Sequence, residues 1–471
     1  MCILMKTNKP KIALVNSPLL EGVTHHPLFP PLGLAYMAAV LEQNGFEVRI
    51  FDCPVCEMNH ETLRKELDSY QPTMIGIGSF TPTIKSALKS ALVAKEVCPD
   101  AKVLMGGPHA SFADKQILTD EKEVDIIVRG EGEETILELA QQSPDLQKIN
   151  DIKGITFRKD NQVIQTPNRP RIQDLDALPR PAYKYLPVDK YRIMGKKLLP
   201  IISSRGCPFH CSFCVASEMF GAIIRSRSPK NVLDEMEWLR DTYGAEGIAF
   251  QDDTLTVDKK RAVEIFDGMI ERKIKMPWGC FSRADVVTKE VLAKMSKAGC
   301  NEVGFGVESG CQEMLDAFHK KVTVEQSENA IKWTKEAGIF VAASIIIGYP
   351  GETRKTLQQT LDLIRRVEPD DVWLCHATPY LGTELRDIVE KNGWKMVEDW
   401  TLYNTMNPIF EDPQLPSKEI AQMRKNFYNK FYGPGYIMRQ AVKGYIKGNL
   451  YSKIMTRTAV NYNLWRAKTM V

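Results

Sequence analysis

Three cysteines carry the plainest chemistry in this chain. Cys207, Cys211 and Cys214 lie in the run Ser203-Ser204-Arg205-Gly206-Cys207-Pro208-Phe209-His210-Cys211-Ser212-Phe213-Cys214. Three residues separate the first pair and two the second, so one tight loop can fold all three thiolates around a single centre. Soft thiolates select iron–sulfur clusters or zinc over hard cations. A [4Fe–4S] cluster ordinarily takes four protein thiolates. Three leave one iron open to a substrate or cofactor. Structural zinc is the alternative, and it needs a fourth ligand. His210 is close in sequence but lies between two of the ligands, which is poor geometry for joining them. Three unrelated buried cysteines are the remaining reading, and the position of the loop at the end of an apolar strand (199–206) speaks against it.

Around this loop the chain alternates strand-like and helix-like segments. From 199 onward, apolar runs ending in polar or glycine-rich turns recur at 247–253, 275–285, 301–310, 340–352 and 370–383, each separated from the next by a helical pattern. Six such units predict a partial (β/α)6 barrel with its chemistry at one mouth. Upstream, short apolar runs at 11–18, 47–53, 73–80, 102–109 and 125–133 alternate with helical stretches, which predicts a doubly wound parallel sheet. Ligands of such sheets sit at the carboxyl ends of the strands. The expected domains are an N-terminal Rossmann-like domain over 10–145 and a linker with a hairpin over 146–195, its turn at Asp160-Asn161. The barrel follows over 196–395, then a mostly helical region over 396–471. The fold class is therefore α/β.

The motif C-x3-C-x-aromatic-C after a first barrel strand resembles the radical S-adenosylmethionine (SAM) superfamily. That resemblance implies a [4Fe–4S] cluster on Cys207, Cys211 and Cys214, with SAM chelating the open iron. One electron from the cluster then cleaves SAM to a 5′-deoxyadenosyl radical. The resemblance places Phe213 near the adenine, Asp252 and Asp253 at the SAM amino end, and Glu308 and Ser309 at the ribose. Gly348 lies in the turn closing the fifth strand. Taken alone, each reads first as a strand-end turn with a helix cap; together, their order and spacing favour the SAM site. Arg283 could orient a carboxylate or pair with Asp285.

A doubly wound domain ahead of such a barrel resembles the cobalamin-binding subclass. The positions that match are Ser79, Thr81, Gly106, Gly107, Gly130 and Glu131, where glycines would let a corrin approach the backbone. Tight βα turns are the alternative role for those glycines. None of the seven histidines has Asp two positions earlier, so no lower axial ligand is assigned. His25, His26 and His109 read as loop or cap residues, and Cys53 and Cys56 as two ordinary thiols.

Composition fits this picture. The chain has 471 residues, 44% apolar and 26% charged, with 11 cysteines and no long apolar run. No disulfide framework, signal peptide or transmembrane helix is expected, and the expected location is cytoplasmic. Residues 420–471 carry ten Lys or Arg, nine aromatics and no Asp or Glu, against a net charge of +3 overall. A helical lid with a solvated basic face is the first reading of this tail. Peripheral membrane contact is the second and nucleic acid the third.

The resemblance implies a cobalamin-dependent enzyme that functionalises an unactivated carbon, with methyl transfer to a hydrophobic small molecule as the leading reaction. Radical cyclisation or carbon–carbon bond formation on a lipid or tetrapyrrole is the alternative, and a non-catalytic cobalamin- or metal-binding module the second. A reductant such as ferredoxin or flavodoxin is an expected partner.

Overall fold

The computed structural model describes residues 10–20, 29–143, 145–193, 195–446 and 452. The chain divides into two compact units. The first comprises 1–192 with the short segments 218–220 and 399–401; the second holds the rest.

The first unit is built on a seven-stranded sheet in the order β2-β1-β3-β4-β5-β6-β7. Its strands are β1 (Lys11–Asn16), β2 (Glu47–Asp52), β3 (Met74–Gly78), β4 (Lys102–Gly106), β5 (Ile126–Val128), β6 (Ile155–Lys159) and β7 (Gln162–Gln165). The first five are parallel. Ile12, Ala13, Leu14 and Val15 are fully buried, as a central strand covered by helices on both faces requires. The 155–166 hairpin forms with Asp160 and Asn161 in the left-handed region, matching the right-handed strand twist. It is not a free linker: β6 pairs antiparallel with β5 and extends the sheet. The chain beyond it stays on this unit, with Tyr183 and Tyr191 buried. Sheet order reverses between β1 and β3, which makes their carboxyl ends the crevice for a ligand.

The second unit holds six parallel strands in the order β15-β14-β13-β12-β11-β8. They are β8 (Leu198–Ile201), β11 (Gly247–Phe250), β12 (Trp278–Ser282), β13 (Cys300–Glu308), β14 (Phe340–Ile347) and β15 (Asp371–His376). A two-stranded ribbon, β9 (Ser204–Arg205) with β10 (Arg225–Ser226), follows β8. The helices that intervene start on local signals. Ser228, Asp258, Thr288, Thr323, Thr353 and Thr383 each cap a helix by accepting the N–H three residues on, so each strand end leads into a fixed helix start.

The edge strand β15 is covered by the tail. The Tyr428 hydroxyl accepts the Leu374 N–H at 2.9 Å, and the Tyr432 hydroxyl accepts that of Val372 at 3.1 Å. Tyr436 donates to the Asp370 carbonyl at 2.7 Å. Aromatics of the tail thus satisfy a sheet edge that would otherwise expose unpaired backbone groups. No helix among the described residues is long and apolar enough to cross a membrane.

Candidate functional site

The cysteine loop spans the turn from β9 to β10. Gly206 opens it with φ +95°, and a Cβ there would lie 2.5 Å from the Ile223 carbonyl oxygen, so only glycine fits. The Cys207 N–H donates to Gly221 O at 3.0 Å, and the Cys214 N–H to Cys211 O at 3.0 Å, a tight turn between two ligands.

Ser212, between Cys211 and Cys214, is buried and anchored in three directions. Its N–H donates to Phe318 O at 3.0 Å, its carbonyl accepts Leu385 N–H at 2.8 Å, and its hydroxyl meets the Tyr349 hydroxyl at 2.7 Å. The loop is thereby tied to the segments after β13, β14 and β15. Phe213 packs edge-on against Phe318, which in turn packs on Tyr349. Sequence reasoning missed Ser212 and Tyr349. A serine flanked by two ligands in a loop that must be rigid was the available signal.

Asp252 ties the loop at its base. Its carboxylate accepts four hydrogen bonds, from the N–H and hydroxyl of Ser203 (both 2.8 Å) and of Ser204 (2.5 and 3.1 Å). Arg261 reaches the Ser203 carbonyl at 2.7 Å. Asp252 is therefore heavily engaged by its own chain and has a structural role in holding the base of the loop. Asp253 is different. Its side chain is exposed, yet crowding at the mouth and the neighbouring Asp252 charge push its pKa up to about 6. Its charge is felt at Cys207 and Cys214.

Arg283 is buried and grips Asp285 with two bonds of 3.0 Å. It also donates to Lys320 O at 2.6 Å, lies over the Phe209 ring at 3.5 Å, and approaches Cys211 Sγ at 3.8 Å. Of the two roles that the sequence left open for it, the pairing with Asp285 is the one seen, and the same guanidinium also presents charge to a thiol. Desolvation pushes all three thiols up, although Cys214 reaches solvent, while the Lys320 and Arg283 charges pull Cys211 the other way. A bound metal would deprotonate them outright.

Glu308 ends β13 with φ +61°, a strained position for a residue with a side chain. Its carboxylate accepts from Lys320 Nζ at 2.8 Å, and both groups are nearly buried. A Cβ on Gly306 would fall 2.2 Å from Glu308 Oε1 and 2.7 Å from Lys320 Nζ, so this glycine makes room for the pair. Ser309 is fully buried; its hydroxyl accepts Cys311 N–H at 3.1 Å and meets Thr360 at 3.0 Å. Its hydroxyl is thus engaged in shaping the turn after β13. Gly348 has φ +75° and donates its N–H to buried Glu352 at 2.5 Å. Burial pushes Glu352 up to about 8, and its second oxygen has no partner.

Among the described residues, no three metal-ligating side chains converge as a single ion requires. Zinc holds thiolates about 2.3 Å from one point, whereas a cuboidal cluster sits between its ligands and spreads them. A loop pinned at its base and centre, whose three thiols are met among the described residues by Ala216 N–H, Phe209 N–H and Arg283, suits the wider group.

In the first unit, the residues expected at strand ends are brought together around β3 and β4. The Ser79 N–H and hydroxyl both donate to Gly106 O at 2.9 Å. Gly107 has φ +98°, and a Cβ there would stand 2.4 Å from Ser79 O. These three residues close a turn. Thr81 bonds His109 at 3.2 Å, and His109, packed edge-on against Trp400, is held down to about 4 by burial. Gly130 differs from Gly107: a Cβ there would meet nothing within 4 Å. Glu131 accepts Ile172 N–H at 2.9 Å. Cys53 is buried and Cys56 half-buried, and burial pushes both up. His25 and His26 lie outside the described residues.

Two groups at the switch point were missed in sequence. Ser17, just past β1, has a buried hydroxyl that finds no partner among the described residues. Phe80, two residues past β3, is 63% exposed. An orphaned polar atom beside an exposed ring suits a ligand with both polar and apolar faces. The strand-order reversal was the signal, and it needed the sheet to be known.

Two family models match the chain, the radical SAM superfamily over residues 201–364 and the B12 binding domain over 23–140. An uncharacterised methyltransferase of Pyrococcus horikoshii is 32% identical over 430 residues, 89% of this chain and 94% of that protein. The anaerobic magnesium-protoporphyrin IX monomethyl ester cyclase of Cereibacter sphaeroides is 32% identical over 418 residues, 86% of this chain and 67% of that one. Among solved structures, the radical SAM methyltransferase TsrM of Kitasatospora setae, with cobalamin and a [4Fe–4S] cluster bound, superposes with a TM-score of 0.74. It is 16% identical and covers 97% of this chain and 100% of that chain.

Proposed function

The chain belongs to the radical SAM superfamily, in the group that carries a B12-binding domain, and from that premise we propose that it transfers a methyl group to an unactivated carbon of a hydrophobic small molecule. The observation that carries this reading is the cysteine loop, whose serines and backbone are spent on fixing its shape while its thiols stay available.

With a [4Fe–4S] cluster, SAM and cobalamin bound, the cluster supplies one electron to SAM and cobalamin supplies the methyl group. Cys207, Cys211 and Cys214 would hold the cluster, and Arg283 would steady the thiolate of Cys211. Asp253, rather than Asp252, would accept from the SAM amino group. Glu308, already oriented by Lys320, would receive the ribose hydroxyls, Phe213 would border the adenine, and Gly348 would allow close approach. In the B12-binding domain, Ser17, Phe80, Thr81, Gly130 and Glu131 would face cobalamin, with Ser79, Gly106 and Gly107 shaping the turns behind them.

Anaerobically reconstituted protein should release 5′-deoxyadenosine from SAM under a low-potential reductant such as ferredoxin or flavodoxin. Methyl-labelled SAM should label the product. A product formed without label would instead support ring formation, the reading favoured by the cyclase relative. Absence of 5′-deoxyadenosine would leave only a binding module. Peripheral membrane contact narrows to Met438, Val442 and Tyr445, exposed at helical spacing, and co-sedimentation with anionic liposomes tests it.

A further inference from the structure

The barrel sheet has two unlike faces. In one row across β13, β14 and β15, Phe305, Ala343 and Val372 are 1%, 0% and 2% exposed. Side chains one position along point the opposite way, and that row is Gly306, Ser344 and Trp373. Trp373 is 37% exposed, and Phe281, on β12 beside Gly304, is 43% exposed.

These two rings stand on strands with two others between them, roughly 14 Å apart along the sheet at about 4.8 Å per strand. Their centroids nevertheless approach to 6.0 Å. They meet because the floor between them is nearly bare: a Cβ on Gly304 would fall 2.8 Å from the Phe281 ring. Trp373 is fixed by its indole N–H, which donates to Asp371 at 2.7 Å, and Asp371 is held in turn by Tyr432. Large exposed rings held over a glycine-lined floor form a surface for another flat group.

The surface lies beside the site already described. The Glu308–Lys320 pair sits over Gly306, in the row of Trp373. Cys375, two residues beyond Trp373, bonds Ser344 and Thr405, and its thiol feels the charges of both Glu308 and Arg424. Arg424 donates to Met406 O at 3.1 Å and lies 5.5 Å over the Tyr428 ring. Arg439 pairs with Glu368 and Lys443 with Asp370. Among the described residues Arg424 pairs with no carboxylate, so this half-buried side chain brings a positive charge to the rim that none of them offsets.

We propose that this face is the substrate subsite: Phe281 and Trp373 hold a flat apolar ring system, and Arg424 receives an anionic group, carboxylate or phosphate, at its edge. This rests on the methyl-transfer reading and narrows its substrate class to anionic ring compounds. Equilibrium dialysis of the full chain against 1-pyrenebutyrate and 1-pyrenebutanol, which share a ring and differ in charge, tests it. The wild type should bind the acid about tenfold more tightly than the alcohol, the equivalent of one ion pair of roughly 1.4 kcal/mol. Arg424→Gln should abolish that preference and leave the alcohol unchanged, and Arg424→Lys should restore part of it. Phe281→Leu and Trp373→Leu should each weaken both probes about tenfold. Trp373→Phe, which keeps a ring, should stay within about threefold of wild type and guards against a folding artefact. A preference that survives Arg424→Gln, or unchanged binding in both leucine variants, overturns the proposal. Release of 5′-deoxyadenosine without substrate is scored separately, so loss of the methyl-transfer reading and loss of the subsite are told apart.

Discussion

The two sheets end their strands by different means. At the mouth of the barrel, polar side chains make the ties: Asp252 gathers Ser203 and Ser204, the Tyr349 hydroxyl meets that of Ser212, and Glu352 takes the Gly348 N–H. In the B12-binding domain the strand ends meet through missing side chains, as where Gly107 lies against Ser79. Loop length accounts for the contrast. The excursion from β9 to β10 is long and must hold three thiols at fixed positions, so it needs ligatures within it. The βα turn after β4 passes straight into a helix and needs only room. The barrel is thus vulnerable to lost polar groups, and the B12-binding domain to added atoms.

The largest effect should come from Asp252→Ala. It orphans two buried N–H groups and strips the Ser203 and Ser204 hydroxyls of their shared acceptor, a loss of about 2–5 kcal/mol. Iron bound after anaerobic reconstitution should fall to near the level of a Cys211→Ala control, with cobalamin binding retained. Loss of cobalamin and retention of iron would break the comparison. Gly107→Ala should come next and behave in the opposite sense. The strained φ and the overlap with Ser79 O together cost about 2–4 kcal/mol. Thermal unfolding should show that loss, while iron content in protein that remains folded stays at the wild-type level.

Acid and alkali should separate the two regions further. Glu352 has a folded pKa of about 8 against an ordinary value of 4.5. Its fold holds the proton more tightly than the unfolded chain does, so stability is full below about pH 4.5 and is lost as pH rises toward 8. His109 has a folded pKa of about 4 against 6.5. Its fold excludes the proton, so stability is lost as pH falls from about 6.5 toward 4. Glu352→Gln should flatten the alkaline loss and His109→Gln the acid loss, each by a slope of up to about 1.4 kcal/mol per pH unit. Unfolding followed from pH 4 to 9 reads both, and crossed effects would sink the assignment.

Much of this was legible in the sequence, for reasons of range. The cysteine spacing, the six strand–helix units and the 155–166 hairpin are local patterns, and local patterns survive without a structure. Asp252 and Ser309 were legible as strand-end polar residues, but their bonds to the protein itself were not. Whether a carboxylate at a strand end faces a ligand or its own backbone depends on Ser203 and Ser204, some 48 residues away. The bonds of Tyr428, Tyr432 and Tyr436 to β15 were illegible for the same reason: nothing nearby in sequence shows that β15 is an edge strand. Ser17 and Phe80 became visible only once the order of strands located the switch point.

The smallest effect should separate the two kinds of glycine in the B12-binding domain. Gly130 has φ +74°, like Gly107 in the left-handed region, but a Cβ there meets no neighbour within 4 Å. Gly130→Ala should therefore cost only the conformational penalty, about 1–2 kcal/mol, and less than Gly107→Ala in the same unfolding measurement. If the empty space is where cobalamin approaches the backbone, the added methyl group has a second consequence. Affinity for hydroxocobalamin, followed by absorbance, should weaken about tenfold, a further 1.4 kcal/mol seen only with ligand present. Folded Gly107→Ala protein should bind it with near wild-type affinity, because that glycine faces Ser79 and not the crevice. Equal losses of affinity in the two variants would mean that both glycines serve the turns alone, and the contrast between the barrel and the B12-binding domain would then extend to every strand end described.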